Sequence, residues 1–132
     1  MVSNEAHMFR AVMRRDISVV RHMLRSGASV DALDVDMRTP LHYATMNRDI
    51  YTAKVLLDAC ALPHAQDADA NTPMHVALLL DDSRMVALLL QYANIPLMHI
   101  VRNDKGLTCG HISKMLMNSA STVFLFGMKT SV

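Results

Sequence analysis

The chain has 132 residues, of which 52% are hydrophobic, 19% charged and 5% aromatic, and its formal net charge is +1 with neutral histidines. That length supports one domain with a modest core, and the apolar content excludes a disordered acidic or basic tail. The near-neutral charge argues against a nucleic-acid binder held by bulk charge, and the absence of Trp argues against base-stacking platforms.

The start, Met1-Val2-Ser3-Asn4-Glu5-Ala6-His7, has no basic segment followed by an apolar run. The longest apolar stretches, such as 76–80, are a few residues long. No secretory signal and no membrane span are therefore expected, and the chain is read as intracellular, cytoplasmic or nuclear. Cys60 and Cys109 are too few for a disulfide framework and match no metal spacing, so both are read as reduced thiols. Only four Gly and four Pro punctuate the chain, which favours helices joined by short turns.

In chain order, Ile17, Val20, Met23 and Leu24 form an apolar stripe at helical spacing and predict a helix over about 17–26. Gly27 follows as a left-handed stop. Thr39 before Pro40 is a cap followed by a residue suited to a first turn, and predicts a short helix over 40–47. Ile50, Ala53, Leu56 and Leu57 predict the next helix, about 50–59, with Cys60 at its stop. Thr72-Pro73 opens a helix over 73–80. Val86, Leu89 and Leu90 mark one over 83–92, with Ala93 at the stop position. Val123, Leu125 and Phe126 predict a last helix over 119–127. Cys60 and Ala93 carry a Cβ, so their turns are expected to be strained or differently shaped.

These elements repeat. Thr39-Pro40-Leu41-His42-Tyr43-Ala44 recurs as Thr72-Pro73-Met74-His75-Val76-Ala77, shifted by 33 residues. The same shift carries Leu56-Leu57 to Leu89-Leu90 and Asp34 to Asp67, and backwards it carries Ala44 to Ala11. A fourth copy starts at Asn103, with Thr108 and His111 in register after an insertion of three residues within 95–102. A 33-residue period with this hexapeptide resembles the ankyrin repeat. The resemblance implies an all-α solenoid of about four helix-turn-helix repeats with short hairpin tips, near 1–33, 34–66, 67–102 and 103–132, forming one domain over 1–132. The first copy lacks Thr-Pro and carries Arg10, Arg14, Arg15, Arg21 and Arg25, and the last has Cys109-Gly110 in place of Pro-Leu, so both are read as caps. Phe124, Phe126 and Met128 leave the last end apolar.

Seven histidines raise the possibility of a metal-dependent enzyme. His42, His75 and His111 occupy equivalent positions, and stacked helices would set them about 10 Å apart, too far for a shared zinc with ligands at about 2 Å. The resemblance implies instead a histidine that hydrogen-bonds between repeats. No nucleophile elbow and no phosphate-cradling glycine loop appears, and Asp81 and Asp82 are read as solvated. No enzyme, no cofactor and no metal are expected.

The resemblance further implies a concave binding surface of hairpin tips and first-helix faces. The tips carry Val35, Asp36 and Arg38, then Ala68, Asp69 and Asn71, then Asp104, Lys105 and Leu107. The helix positions are Met13 and Arg14, Met46 and Asn47, Leu79 and Leu80, and Met115 and Leu116. Facing the groove, Met13, Met46, Leu79 and Met115 would form an apolar track; covered by the hairpins, they would belong to the core. Charge is uneven. Residues 1–30 set five Arg against Glu5 and Asp16; residues 31–82 set nine Asp against Arg38, Arg48 and Lys54; residues 83–132 set five basic residues against Asp104. Asp34 and Asp67 suit a local turn role, which leaves Asp36 and Asp69 for binding. The expectation is a monomeric protein-binding module, adaptor or steric inhibitor, for a partner with basic and apolar surface and without direct contact to nucleic acid or membrane. A small kinase or transcription-factor inhibitor, and a fragment of a longer scaffold, remain alternatives.

Overall fold

The computed structural model describes residues 4–116. It holds α1 (Asn4–Met13), α2 (Ile17–Arg25), α3 (Pro40–Met46), α4 (Ile50–Asp58), α5 (Pro73–Leu79), α6 (Ser83–Leu90), α7 (Ile95–Met98) and α8 (Cys109–Met115), and no strand is found among the described residues. Two rows form. The inner helices stack in the order α1, α3, α5, α8, and the outer ones in the order α2, α4, α6. The all-α solenoid expected from the repeat is the observed architecture. The expected helix over 119–127, with Phe124, Phe126 and Met128, lies outside the described residues.

Two sequence signals start the helices. Thr39, Thr72 and Thr108 cap α3, α5 and α8, each accepting from the amide of the His three residues on, while that His ring accepts from the Thr amide. This reciprocal cap satisfies two otherwise orphaned donors. It forms in the fourth repeat although Cys109-Gly110 replaces Pro-Leu. Asp16, Asp49 and Asp82 cap α2, α4 and α6 by accepting from Val19, Thr52 and Met85. Asp82 is therefore not a freely solvated carboxylate as expected; it directly precedes the apolar stripe of α6, and the 33-residue spacing of the three aspartates was the signal for a cap.

The stripes pack as the spacing requires. Leu41, Ala44, Leu56, Met74, Ala77 and Leu89 are fully buried, and Ala53 joins them. The small Ala11, Ala44 and Ala77 sit where inner helices approach each other. Short helix pairs of seven to nine residues cannot be stable alone, so stability comes from the faces neighbouring repeats share. Outer helices are also tied by polar contacts: the Tyr92 hydroxyl, just after α6, donates to Asp58 at 2.6 Å and accepts from Lys54 at 3.4 Å.

Helix ends differ slightly from the sequence expectation. α2 and α4 each stop one residue early, at caps Ser26 and Ala59, and α6 ends at Leu90 rather than near 92. Gly27 (φ 95°) and Cys60 (φ 70°) take the left-handed stop, but Ala93 does not. The three inserted residues explain this. They make room for the extra four-residue turn α7, capped by Asn94, so the chain re-enters a helix soon after α6. α7 buries Met98 and brings the His99 ring over Gly110, where a Cβ would lie 3.0 Å from Nδ1. Left-handed residues also recur where the sequence offered no glycine: Arg15, Arg48 and Asp81 between paired helices, and Met37 and Ala70 at the tips.

Leu56→Ala should lower unfolding free energy by about 2–5 kcal/mol, because Leu56 is fully buried between repeats; a urea melt showing a loss of less than about 1 kcal/mol would contradict the packing register. Cys60→Gly should raise stability by about 0.5–1 kcal/mol, since the exposed Cys60 holds φ 70° against its own Cβ. An unchanged or lower denaturation midpoint would show that the turn carries no such strain.

Candidate protein-interaction surface

Each hairpin tip is built on one side chain. Asp34 Oδ1 accepts from the amides of Asp36 and Arg38, both at 2.9 Å. Asp67 does the same for Asp69 and Asn71 at 2.9 Å, and Asn103 for Lys105 and Leu107 at 3.0 Å. The turn role read for Asp34 and Asp67 is what the structure has. Backbone bonds then join the tips in series: Ala68 donates to the Asp36 carbonyl at 2.8 Å and Asp104 to the Asp69 carbonyl at 2.9 Å. Tyr43 locks the first tip by donating to the second oxygen of Asp34. The Asp34 carboxyl lies below its ordinary range: burial opposes this, but the Tyr43 hydroxyl and the Arg38 and Asp36 amides outweigh it.

Buried histidines hold the tips to the helices. His42 Nδ1 accepts from the Thr39 amide at 3.0 Å, so the ring carries its proton on Nε2, which donates to the Asn71 carbonyl of the next tip at 2.9 Å. His75 repeats the arrangement from Thr72 (3.2 Å) to the Leu107 carbonyl (2.9 Å). Both ring nitrogens are thereby committed. Among the described residues, no three His, Cys, Asp or Glu side chains group as a metal site. Burial depresses the proton affinity of both imidazoles. A cysteine and a histidine do meet, with Cys109 Sγ 3.7 Å from His75 Nδ1. Burial pushes that thiol up to about 11, so it stays protonated at neutral pH. The His75 lone pair facing it is already occupied by the Thr72 amide.

A second ladder uses arginine. Arg15 donates to the carbonyl of Asn47 at 2.6 Å and Arg48 to that of Leu80 at 3.1 Å. Asn47 and Leu80 cap the C-terminal ends of α3 and α5, where a cation is favourable. The 33-residue spacing of Arg15 and Arg48 was the overlooked signal.

The expected site residues separate into two groups. Met13, Met46, Leu79 and Met115 are 53%, 40%, 54% and 67% exposed, so the apolar row faces outward rather than into the core. Val35 is 96% exposed, and Asp36, Ala68, Asp69, Lys105 and Arg14 are exposed as well. The others have structural duties. Asn71 and Leu107 are half-buried and supply the carbonyls for His42 and His75. Asn71 also accepts from Asn103 at 3.0 Å. Arg38 is half-buried between Asp36 (3.8 Å) and Asp67 (3.9 Å) and lies over the Tyr43 ring. Asn47 and Leu80 are half-buried, and Asn47 Nδ2 is shielded without a hydrogen-bond partner among the described residues. Leu116 is half-buried and packs against the core.

This geometry matches a known class. The family model described as ankyrin repeats in three copies matches residues 8–104, and the chain belongs to the ankyrin-repeat family. A search of curated proteins found no match. Members of this family are in general protein–protein interaction modules. No helix among the described residues is long and apolar enough to cross a membrane.

The bridging histidines set a pH dependence. His42, His75 and the half-buried His64, whose Nε2 accepts from Asn94 at 2.9 Å, all bind protons less readily when folded, chiefly through burial. Above about pH 6.5 they are neutral in both states and contribute no slope. Below it the unfolded chain binds protons first, so stability should fall as pH drops from about 6.5 toward the lower folded values. Urea melts across this range check it, and a flat profile would contradict neutral, bonded rings.

Proposed function

We propose that this chain is a non-enzymatic binding module that captures a protein on the inner-helix face and hairpin tips, acting as an adaptor or as a steric inhibitor. The observation that carries the reading is the row Met13, Met46, Leu79 and Met115, one side chain per repeat, all left in solvent. Buried positions account for the rest of the repeat pattern, but nothing in stacking calls for an exposed large apolar residue at this position four times. A continuous exposed apolar row marks an interaction surface, and methionine adapts its shape to irregular partners. Asp36 and Asp69, exposed at the tips, favour a partner with basic residues and would speed its encounter. Inhibition by occlusion, of a kinase or a transcription factor for example, needs no further chemistry than this surface.

Affinity capture from native lysate followed by mass spectrometry should recover a discrete partner. Met46→Lys with Leu79→Lys should weaken that capture by at least about tenfold, the equivalent of about 1.4 kcal/mol, and leave the melt nearly unchanged because both positions are exposed. Asp69→Ala should weaken it less and in a salt-dependent way. Full capture by the double variant would refute the surface assignment. A stable binary complex supports inhibition, and a bridged ternary complex supports an adaptor.

A further inference from the structure

The described methionines fall into two groups. Met8, Met23, Met74, Met85 and Met98 are buried, none more than 9% exposed. Met13, Met46 and Met115 are exposed, and each is the last residue of its inner helix, α1, α3 and α8. Leu79 ends α5 in the same way. Met37, at the first tip, is the other exposed methionine among the described residues. The apolar row is thus built mostly from thioethers that solvent reaches, while the thioethers that fill the core are shielded. The backbone beneath the row is held by other groups. Arg15 donates to the Asn47 carbonyl and Arg48 to the Leu80 carbonyl, each one residue beyond a row position. A chemical change confined to the row side chains therefore leaves the stacking contacts in place.

We infer that the row is an oxidation switch: peroxide-class oxidants convert Met13, Met46 and Met115 to sulfoxides, which turns partner capture off while the stack stays folded. This rests on the interaction reading above and adds its regulation. The thioether sulfur attacks one oxygen of hydrogen peroxide. The S–O bond forms as the O–O bond breaks, the sulfur loses two electrons, and the peroxide is reduced to water. A dithiol reductant reverses the step, becoming a disulfide and releasing the oxygen as water. A sulfoxide is polar and accepts hydrogen bonds, so covering it with an apolar partner costs free energy where covering the thioether gains it. Leu79 has no sulfur and stays apolar, so the effect falls on the first, second and fourth repeats. The buried methionines are spared because the oxidant cannot reach them without unfolding.

Peroxide treatment of the full chain followed by peptide mapping tests the selectivity. Sulfoxide should appear on Met13, Met46 and Met115 before Met8, Met74 or Met85, with the urea midpoint nearly unchanged. A synthetic peptide selected from a phage-displayed random library on the reduced, immobilised chain should bind the oxidised chain at least about tenfold more weakly. Treatment with the two methionine sulfoxide reductases, one for each epimer, should restore binding. Met13→Leu, Met46→Leu and Met115→Leu together keep volume and apolar character, so that variant's affinity, from whatever starting value, should not change on peroxide treatment. An oxidised chain that binds as before, an equal loss in the leucine variant, or sulfoxide on the buried methionines at the same rate overturns the switch and leaves the interaction surface standing. Peptides that bind equally well to Met46→Lys with Leu79→Lys, or the absence of any enriched peptide, overturn the surface itself and the switch with it.

Discussion

The structure depends on a bond that no repeat can make alone. A buried imidazole caps its own helix through Nδ1 and reaches the carbonyl of the following tip through Nε2–H. One side chain thus joins a helix start, a hairpin and a neighbouring repeat. Leaving either end unmade inside the stack costs about 1–3 kcal/mol, so the bond also specifies the register of one repeat on the next. The apolar interface supplies the larger share of stability but is less directional. Leu56 and Leu89 would tolerate small slides that the histidine bridge does not.

The proposed binding surface is what stacking leaves over. Each repeat commits one face of its inner helix, the stripe of its outer helix and the base of its tip to neighbours. The Asx turns of Asp34, Asp67 and Asn103 consume the backbone donors of the tip. A row of apolar side chains on the inner helices and a row of carboxylates at the tips remain in solvent. The stack holds both in fixed order, which would lower the entropy cost of the binding proposed above. Among the described residues, six other than glycine held at positive φ show that the short turns are kept even where the sequence does not favour them.

Much of this was legible in the residues. The hexapeptide around His42 and His75, the leucine pairs at 56–57 and 89–90 and the turn aspartates located the inner helices, outer helices and tips, because each has a strict local cause. The apolar row could be numbered but not oriented. Met46 and Leu41 are both apolar residues of one short helix, and only stacking decides that one is exposed and the other buried. Arg38, Asn71 and Leu107 looked like binding residues because they sit at the tips; their half-burial and inter-repeat contacts depend on where the next repeat lies. The caps Asp49 and Asp82 and the ladder of Arg15 and Arg48 were periodic in the sequence. Asp82 was missed because, beside Asp81, it reads as solvated; for the others only the 33-residue spacing carried the signal. Of the two outcomes a Cβ implied, Cys60 takes the left-handed turn and Ala93 a differently shaped one, because the inserted turn α7 redirects the chain immediately after it.

The tautomer of the two bridging rings tests the central interaction most directly. Long-range 15N–1H correlation at neutral pH should show His42 and His75 as single neutral Nε2–H tautomers whose Nε2 protons exchange slowly with water. Rings that average between tautomers like free imidazole, or that carry the proton on Nδ1, would show that the repeats are not joined in this way.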